Sequence, residues 1–225
     1  MNAPIEYEQT NPKWAGNMYS GTNNPRETIG TDGCGPTCCA MVVATLRNSK
    51  VTPADTAKWF MANGGVSPHD GTYWGAISKC LAYWKIPFTQ TNNKQMAIDA
   101  LAKKLMVITA VGNSIWTSGG HFILPYELTG QKIKIHDPNS EASYRELADV
   151  SNYRNAARQF WIIKEDWCME LRKIKLVSKD TDKEIEVNAI NYNNENYVRL
   201  RDVPEIAPLE IGYENGKPTF DLVYK

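Results

Sequence analysis

Neither sign of charge prevails in this chain: 25 Lys and Arg stand against 25 Asp and Glu over 225 residues, a formal net charge of zero. With no dense Lys/Arg run besides, nucleic acid is not expected as a partner. Nowhere do about 18 apolar residues run together, so no membrane-spanning helix is expected. The opening residues, Met1-Asn2-Ala3-Pro4-Ile5-Glu6-Tyr7-Glu8-Gln9, have neither the basic start nor the apolar centre of a secretory signal. The expectation is a soluble protein made in the cytoplasm, without an export route of its own. Cysteines number five, an odd count that does not make a disulfide framework in a chain of this length and suits a reducing compartment at synthesis. Histidine is scarcer still, with three. Cys34, Cys38 and a histidine would give three zinc ligands, but structural zinc sites favour four in closely spaced pairs, and no C-x-x-C or H-x-x-x-H pair exists. No metal or cofactor is expected.

What remains is enough for a packed core. Hydrophobic residues make up 42% of the chain and charged residues 22%, a balance that argues against disorder. Residues 1 to about 30 are polar and turn-rich, with Trp14 and Tyr19 as anchors for this arm. Helical patterns follow over 35–46, 53–63, 73–84 and 94–104. The second opens Thr52-Pro53-Ala54-Asp55, with Thr52 as cap, Pro53 at the first helical position and Asp55 against the dipole. The apolar run 105–111 then reads as a buried strand. A hairpin comes next, with arms 121–128 and 131–137 around Thr129-Gly130, and a further strand at 160–163. Helices first and strands later describe an α+β domain. Near residue 168 the texture shifts to five short alternating strands (174–177, 185–187, 197–200, 209–213 and 219–223), the last two joined at Glu214-Asn215-Gly216-Lys217. The chain therefore divides into residues 1–168 and a small β-rich accessory domain, residues 169–225.

Cys34 stands in Asp32-Gly33-Cys34-Gly35-Pro36-Thr37, where a glycine-punctuated loop becomes a helix. A thiol is a nucleophile only as thiolate, and free N–H groups with the macrodipole at a helix N-terminus favour the anion. Pro36 suits a first helical turn. Gly33 and Gly35 allow close approach of a substrate or a positive φ. Cysteine is also an ordinary buried hydrophobe, the reading that fits Cys38, Cys39, Cys80 and Cys168. An activated cysteine needs a base held by a third group. His121 opens a strand after Ser118-Gly119-Gly120, and Asp137 closes the next in His136-Asp137-Pro138-Asn139. Arms of similar length make the two near cross-strand neighbours at the open end of the hairpin. Each also has a structural reading, as a strand-end histidine and a turn former before proline. Strand alternation sends His136 to the face opposite Asp137, and His69 is an exposed loop residue.

Gly33-Cys34-Gly35-Pro36-Thr37 with Ala40-Met41-Val42, Ser118-Gly119-Gly120-His121-Phe122 and Asp137-Pro138-Asn139 together carry a resemblance. Over about residues 5 to 165, including Val51-Thr52-Pro53-Ala54-Asp55 and Gly71-Thr72-Tyr73-Trp74, the chain resembles papain-like cysteine peptidases related to the double-glycine leader peptidases of bacteriocin exporters. It is closest to their free-standing branch in phage lysins and bacterial wall enzymes. The resemblance implies a catalytic domain of helices on an antiparallel sheet, with Cys34 as nucleophile, His121 as base and Asp137 as orienting acid. Tyr73, Trp74 and Gly120 are the candidate substrate-lining residues.

Two departures stand out. Exporter peptidases carry an oxyanion glutamine a few residues before the cysteine, whereas this stretch reads Glu27-Thr28-Ile29-Gly30-Thr31. Gln9 lies far upstream, which leaves the Cys34 backbone N–H as one oxyanion donor and the second unassigned. Cys38 occupies a position where serine is common. Tyr197-Val198-Arg199-Leu200-Arg201-Asp202 and Ile211-Gly212-Tyr213-Glu214-Asn215-Gly216-Lys217-Pro218 resemble β modules behind clostridial lysins, which implies wall attachment or homo-oligomer formation. The implied function is hydrolysis of bacterial peptidoglycan, at a stem-peptide or cross-bridge bond, after release in host lysis. The alternatives are an intracellular or leader-processing peptidase and a non-catalytic module that binds wall or peptide.

Overall fold

The computed structural model describes residues 3–68, 71–139 and 142–164 and, beyond them, the backbone of five strands. His69, Cys168 and the tip Asn215-Gly216 lie outside the described residues. The chain separates into two compact units, Met1–Cys168 and Met169–Lys225.

In the first unit the expected helices form. A one-turn helix α1, Ile29–Asp32, leads through Gly33 into α2, Cys34–Leu46. Every residue of α2 from Gly35 to Ala44 is buried, as befits a helix apolar all round and set in the middle of a domain. α3, Pro53–Ala62, starts with proline at its first position, where the missing N–H loses no bond, and the Asp55 carboxylate accepts from the Thr52 N–H at 2.8 Å. α4 spans Trp74–Tyr83, and α5 spans Lys94–Ala102 behind an Asn93 cap whose Oδ1 accepts from the Gln95 and Met96 N–H groups.

The strands are β1 Phe88–Thr91, β2 Val107–Val111, β3 His121–Thr129, β4 Lys132–His136, β5 Leu147–Asp149 and β6 Ala157–Ile163, with α6 Ser143–Glu146 and α7 Val150–Ala156 between β4 and β6. They form one six-stranded sheet in the order β1-β6-β2-β3-β4-β5, antiparallel throughout. The fold class is α+β. Both faces are covered. Ile108, Ala110, Phe122, Leu124 and Trp161 pack with α2, α3 and α4, whereas Val107, Val111, Ile123, Phe160 and Ile162 pack with α5 and α7. The continuous apolar run in β2 is thus period-two alternation with a core on either side. Elements too short to show a period, α1, α6, β1 and β5 among them, are the ones the sequence pattern does not announce.

One irregularity in the hairpin matters for the site. β3 and β4 pair at Thr129↔Lys132, Leu128↔Ile133 and Glu127↔Lys134, then shift to Pro125↔Ile135 and Leu124↔His136. Tyr126 is the extra residue, a β-bulge. Carried straight on from the turn, the pairing sets Asp137 opposite Leu124. After the bulge Asp137 falls opposite Ile123, on the face that His121 shares, because a one-residue slip exchanges faces.

Gly33 and Gly35 serve contacts within the protein. Gly33 has φ −87°, so no left-handed backbone is needed there. A Cβ on it would lie 2.5 Å from the Ile29 carbonyl, and one on Gly35 would lie 2.5 Å from Thr72 Oγ1. Thr72 is held in turn by a 2.6 Å hydrogen bond with the buried Tyr19 hydroxyl. Gly35→Ala is therefore expected to lower stability by about 1–3 kcal/mol through overpacking, read as a fall in thermal midpoint by calorimetry. An unchanged midpoint would show that Thr72 yields freely.

In the second unit β7 Leu171–Val177, β8 Glu184–Tyr192 and β9 Glu195–Val198 form an antiparallel three-stranded sheet, and β10 Leu209–Glu214 pairs with β11 Lys217–Leu222.

Candidate active site

Cys34 is the first residue of α2 and is partly exposed. Its N–H belongs to the first turn, which has no intrahelical acceptors. His121 is the first residue of β3, directly after the Ser118-Gly119-Gly120 loop, and Asp137 follows the last residue of β4. The two are brought to one place: His121 Nε2–H donates to Asp137 Oδ1 at 2.7 Å, with the residues 8% and 2% exposed. A carboxylate only accepts, so the tautomer with hydrogen on Nε2 is required and Nδ1 is left for another partner. The Cys34 thiol is the other group that acts on the imidazole, and both its hydrogen bonding and its charge favour the protonated ring.

The electrostatics follow from this placement. Burial by itself pushes the His121 imidazole down, but hydrogen bonds to Asp137 and Cys34, with the charges of both, outweigh it and raise the pKa to about 9. Burial also drives the Cys38 thiol well up, so the second thiol one turn along stays protonated. Cys80 is held up by burial and by its contact with Cys39. Among the described residues no group of three or more His, Cys, Asp or Glu is arranged to hold a metal.

Two residues without a signal in the local sequence border the pair. Arg145, on α6, sets a guanidinium nitrogen 2.6 Å from Asp137 Oδ2. Its N–H is not aimed at that oxygen, which has no directed hydrogen bond, so the contact is Coulombic. The same nitrogen donates instead to the Trp116 carbonyl at 2.7 Å. Gln9 is 3% exposed. Its backbone N–H donates to the Pro138 carbonyl at 2.7 Å and its side-chain amide to the Gly30 carbonyl at 2.9 Å. It therefore joins the segment leading into Cys34 to the residue after Asp137. Distance along the chain sets Gln9 aside in the sequence; folding the arm 3–28 back over the domain removes that distance.

Of the substrate-lining candidates, Tyr73 caps α4 and Trp74 opens it, and both residues are exposed, at 50% and 47%. Their neighbour Thr72 abuts Gly35, beside the thiol. Gly120 has open space where a side chain would stand. His136 is occupied elsewhere, with Nδ1 2.9 Å from Glu6, Nε2 3.1 Å from the Pro4 carbonyl and its ring stacked on Tyr126.

A buried imidazole between a thiol at a helix N-terminus and a carboxylate on an α+β scaffold belongs to the chemistry of cysteine peptidases. The Peptidase_C39 like family matches residues 9–165, most of the chain, and the chain belongs to that family of cysteine peptidases. No curated protein matches the chain. Among the described residues no helix is long and apolar enough to cross a membrane.

Proposed function

We propose that this chain is a peptidoglycan-directed cysteine peptidase in which Cys34 is the nucleophile, His121 the general base and acid, and Asp137 the orienting carboxylate. The observation that carries the reading is the buried His121 ring held 2.7 Å from Asp137 at Nε2, with the Cys34 thiol near enough to act on its charge. Proton transfer from sulfur to imidazole gives a thiolate–imidazolium pair. The thiolate attacks the substrate carbonyl, a C–S bond forms, and the oxyanion is received by the Cys34 N–H. His121 gives its proton to the leaving nitrogen as the C–N bond breaks. Water then attacks the thioester and loses a proton to His121, the C–S bond breaks with the sulfur leaving as thiolate, and the carboxylic product departs from a restored thiolate–imidazolium pair.

The bell-shaped pH profile of kcat/KM is expected to have its alkaline limb near the His121 value of about 9, because the imidazolium supplies the leaving-group proton. The sign for stability agrees. A pKa raised from 6.5 to about 9 on folding contributes fully below 6.5 and is lost as the pH rises through about 9. An alkaline limb close to 6.5 would contradict the ion pair.

Peptidoglycan as substrate rests on the resemblance of the Cys34, His121 and Asp137 segments to wall enzymes and of the tail to their β modules. Exposed Tyr73 and Trp74 follow Thr72, which abuts Gly35 next to the nucleophile, and offer aromatic faces to a substrate. The second unit would serve wall attachment or self-association, and action would follow release onto the wall. The test is mass spectrometry of purified Gram-positive walls after digestion: new amino termini name the scissile bond. Intact walls beside a cut leader peptide would favour the processing enzyme, and binding without cleavage the non-catalytic module.

A further inference from the structure

Arg145 touches no atom that reacts in this scheme, yet its guanidinium sits against the buried end of the site. We propose that Arg145 is the positioning residue of this site: it holds Asp137 so that Oδ1 meets His121 Nε2. The proposal rests on the catalytic reading of Cys34, His121 and Asp137 given above.

Three observations support it. Asp137 Oδ1 already accepts from His121 Nε2 at 2.7 Å and from the Asn139 N–H at 3.0 Å, while the buried Oδ2 has no hydrogen bond among the described residues and lies 2.6 Å from the Arg145 guanidinium. Without the guanidinium that oxygen would keep its charge unmatched, and the carboxylate could rotate to find a partner. Second, the charges alternate along the site: thiolate, imidazolium, carboxylate, guanidinium. The sum is zero only with Arg145, which is always protonated; without it the pocket carries a net buried negative charge. Third, the guanidinium is itself fixed. Arg145 donates to the Trp116 carbonyl at 2.7 Å, and Trp116 Nε1 donates back to the Arg145 carbonyl at 2.9 Å. Trp116 is buried on the loop that runs into His121. The bracket thus ties the approach to the base to the segment after its orienting acid. Arg145 Nε is buried without a hydrogen bond among the described residues, an arrangement that stability alone would not favour.

Among the described residues, the charged groups facing His121 are Cys34 from α2 and Asp137 after β4, with Arg145 of α6 behind Asp137. The test uses the full chain and two readouts: the NMR titration midpoint of the His121 ring, and kcat and KM on wall fragments. In Arg145→Met the loss of a nearby cation alone would raise the midpoint, so a fall of about one pH unit is the mark of Asp137 losing its fixed orientation, and a rise would overturn the proposal. kcat should fall about 10- to 100-fold with KM nearly unchanged. Arg145→Lys keeps the charge but cannot reach Trp116 and Asp137 together, so it should lie between. Folded Arg145→Met with the wild-type midpoint and kcat, and only a lower thermal midpoint, would overturn the proposal and leave a structural residue. Should Arg145→Met fail to fold, Arg145→Lys decides in the same way: unchanged values overturn, an intermediate loss supports. A wild-type His121 midpoint near the ordinary imidazole value would overturn the catalytic reading itself, and so is distinct from a failure of Arg145 alone.

Discussion

Cys34→Ala is expected to abolish cleavage of wall peptides, a loss of about 10⁴-fold or more in kcat, while leaving the fold intact. The magnitude follows from the role: with no nucleophile there is no acyl-enzyme, and only positioning and the oxyanion donors remain. The fold survives because Cys34 is partly exposed at the start of α2 and alanine is a good helix former, so stability should stay within about 1 kcal/mol. The backbone N–H at position 34 is untouched, which isolates the sulfur as the cause. Fragment release from purified walls checks the activity and thermal unfolding checks the fold. Residual cleavage near the wild-type rate would remove Cys34 from the mechanism.

The second large effect is expected for Asp137→Asn, a loss of about 10²- to 10⁴-fold in kcat/KM. The reason lies in what surrounds the carboxylate. Oδ1 meets two N–H donors, from His121 and Asn139, and Oδ2 meets the Arg145 guanidinium. An asparagine there must turn its NH2 towards donors on one side or the other. It also removes the negative charge that helps hold the His121 imidazole up, so the alkaline limb of the pH profile should move down together with the rate. Two cations facing a neutral amide also destabilise the fold, by about 3–5 kcal/mol, so the rate has to be referred to the folded fraction. Near-wild-type activity with an unmoved alkaline limb would show that Asp137 does not steady the base.

Much of this arrangement is legible residue by residue where the signal is local. Thr52-Pro53-Ala54-Asp55 announces the start of α3, and the observed cap is the one its chemistry requires. The loop-to-helix step at Gly33-Cys34 is likewise a local event. So is the hairpin around Thr129-Gly130, where Gly130 has φ 61°, a conformation that suits glycine. Other features depend on chain segments that meet only after folding. Gln9 reaches the site because the arm that contains it folds back, its N–H on the Pro138 carbonyl. Arg145 lies on a helix of four residues, too short for a periodic pattern, and nothing in Ser143-Tyr144-Arg145-Glu146 distinguishes a residue beside a buried carboxylate from a solvent-exposed arginine. Gly33 and Gly35 look from the sequence like accommodations for substrate, whereas the close approaches they allow are to Ile29 and Thr72.

The sequence by itself determined the alternation of apolar residues, the helix starts and the turn, because these are short-range matters of sterics, capping and period. It also supplied a thiol, an imidazole and a carboxylate, each at an element end. Which face the carboxylate would share was decided only in the tertiary structure. From the turn alone Asp137 falls opposite Leu124, on the face away from His121; the extra residue at Tyr126 moves it opposite Ile123. The physical reason is that side chains in a strand alternate with period two, so a single bulged residue carries Asp137 from one face of the sheet to the other. What fixes the bulge is packing on both faces at once, with Leu128, Ile133 and Ile135 on one core and Leu124 on the other, and that agreement exists only when the whole sheet is assembled.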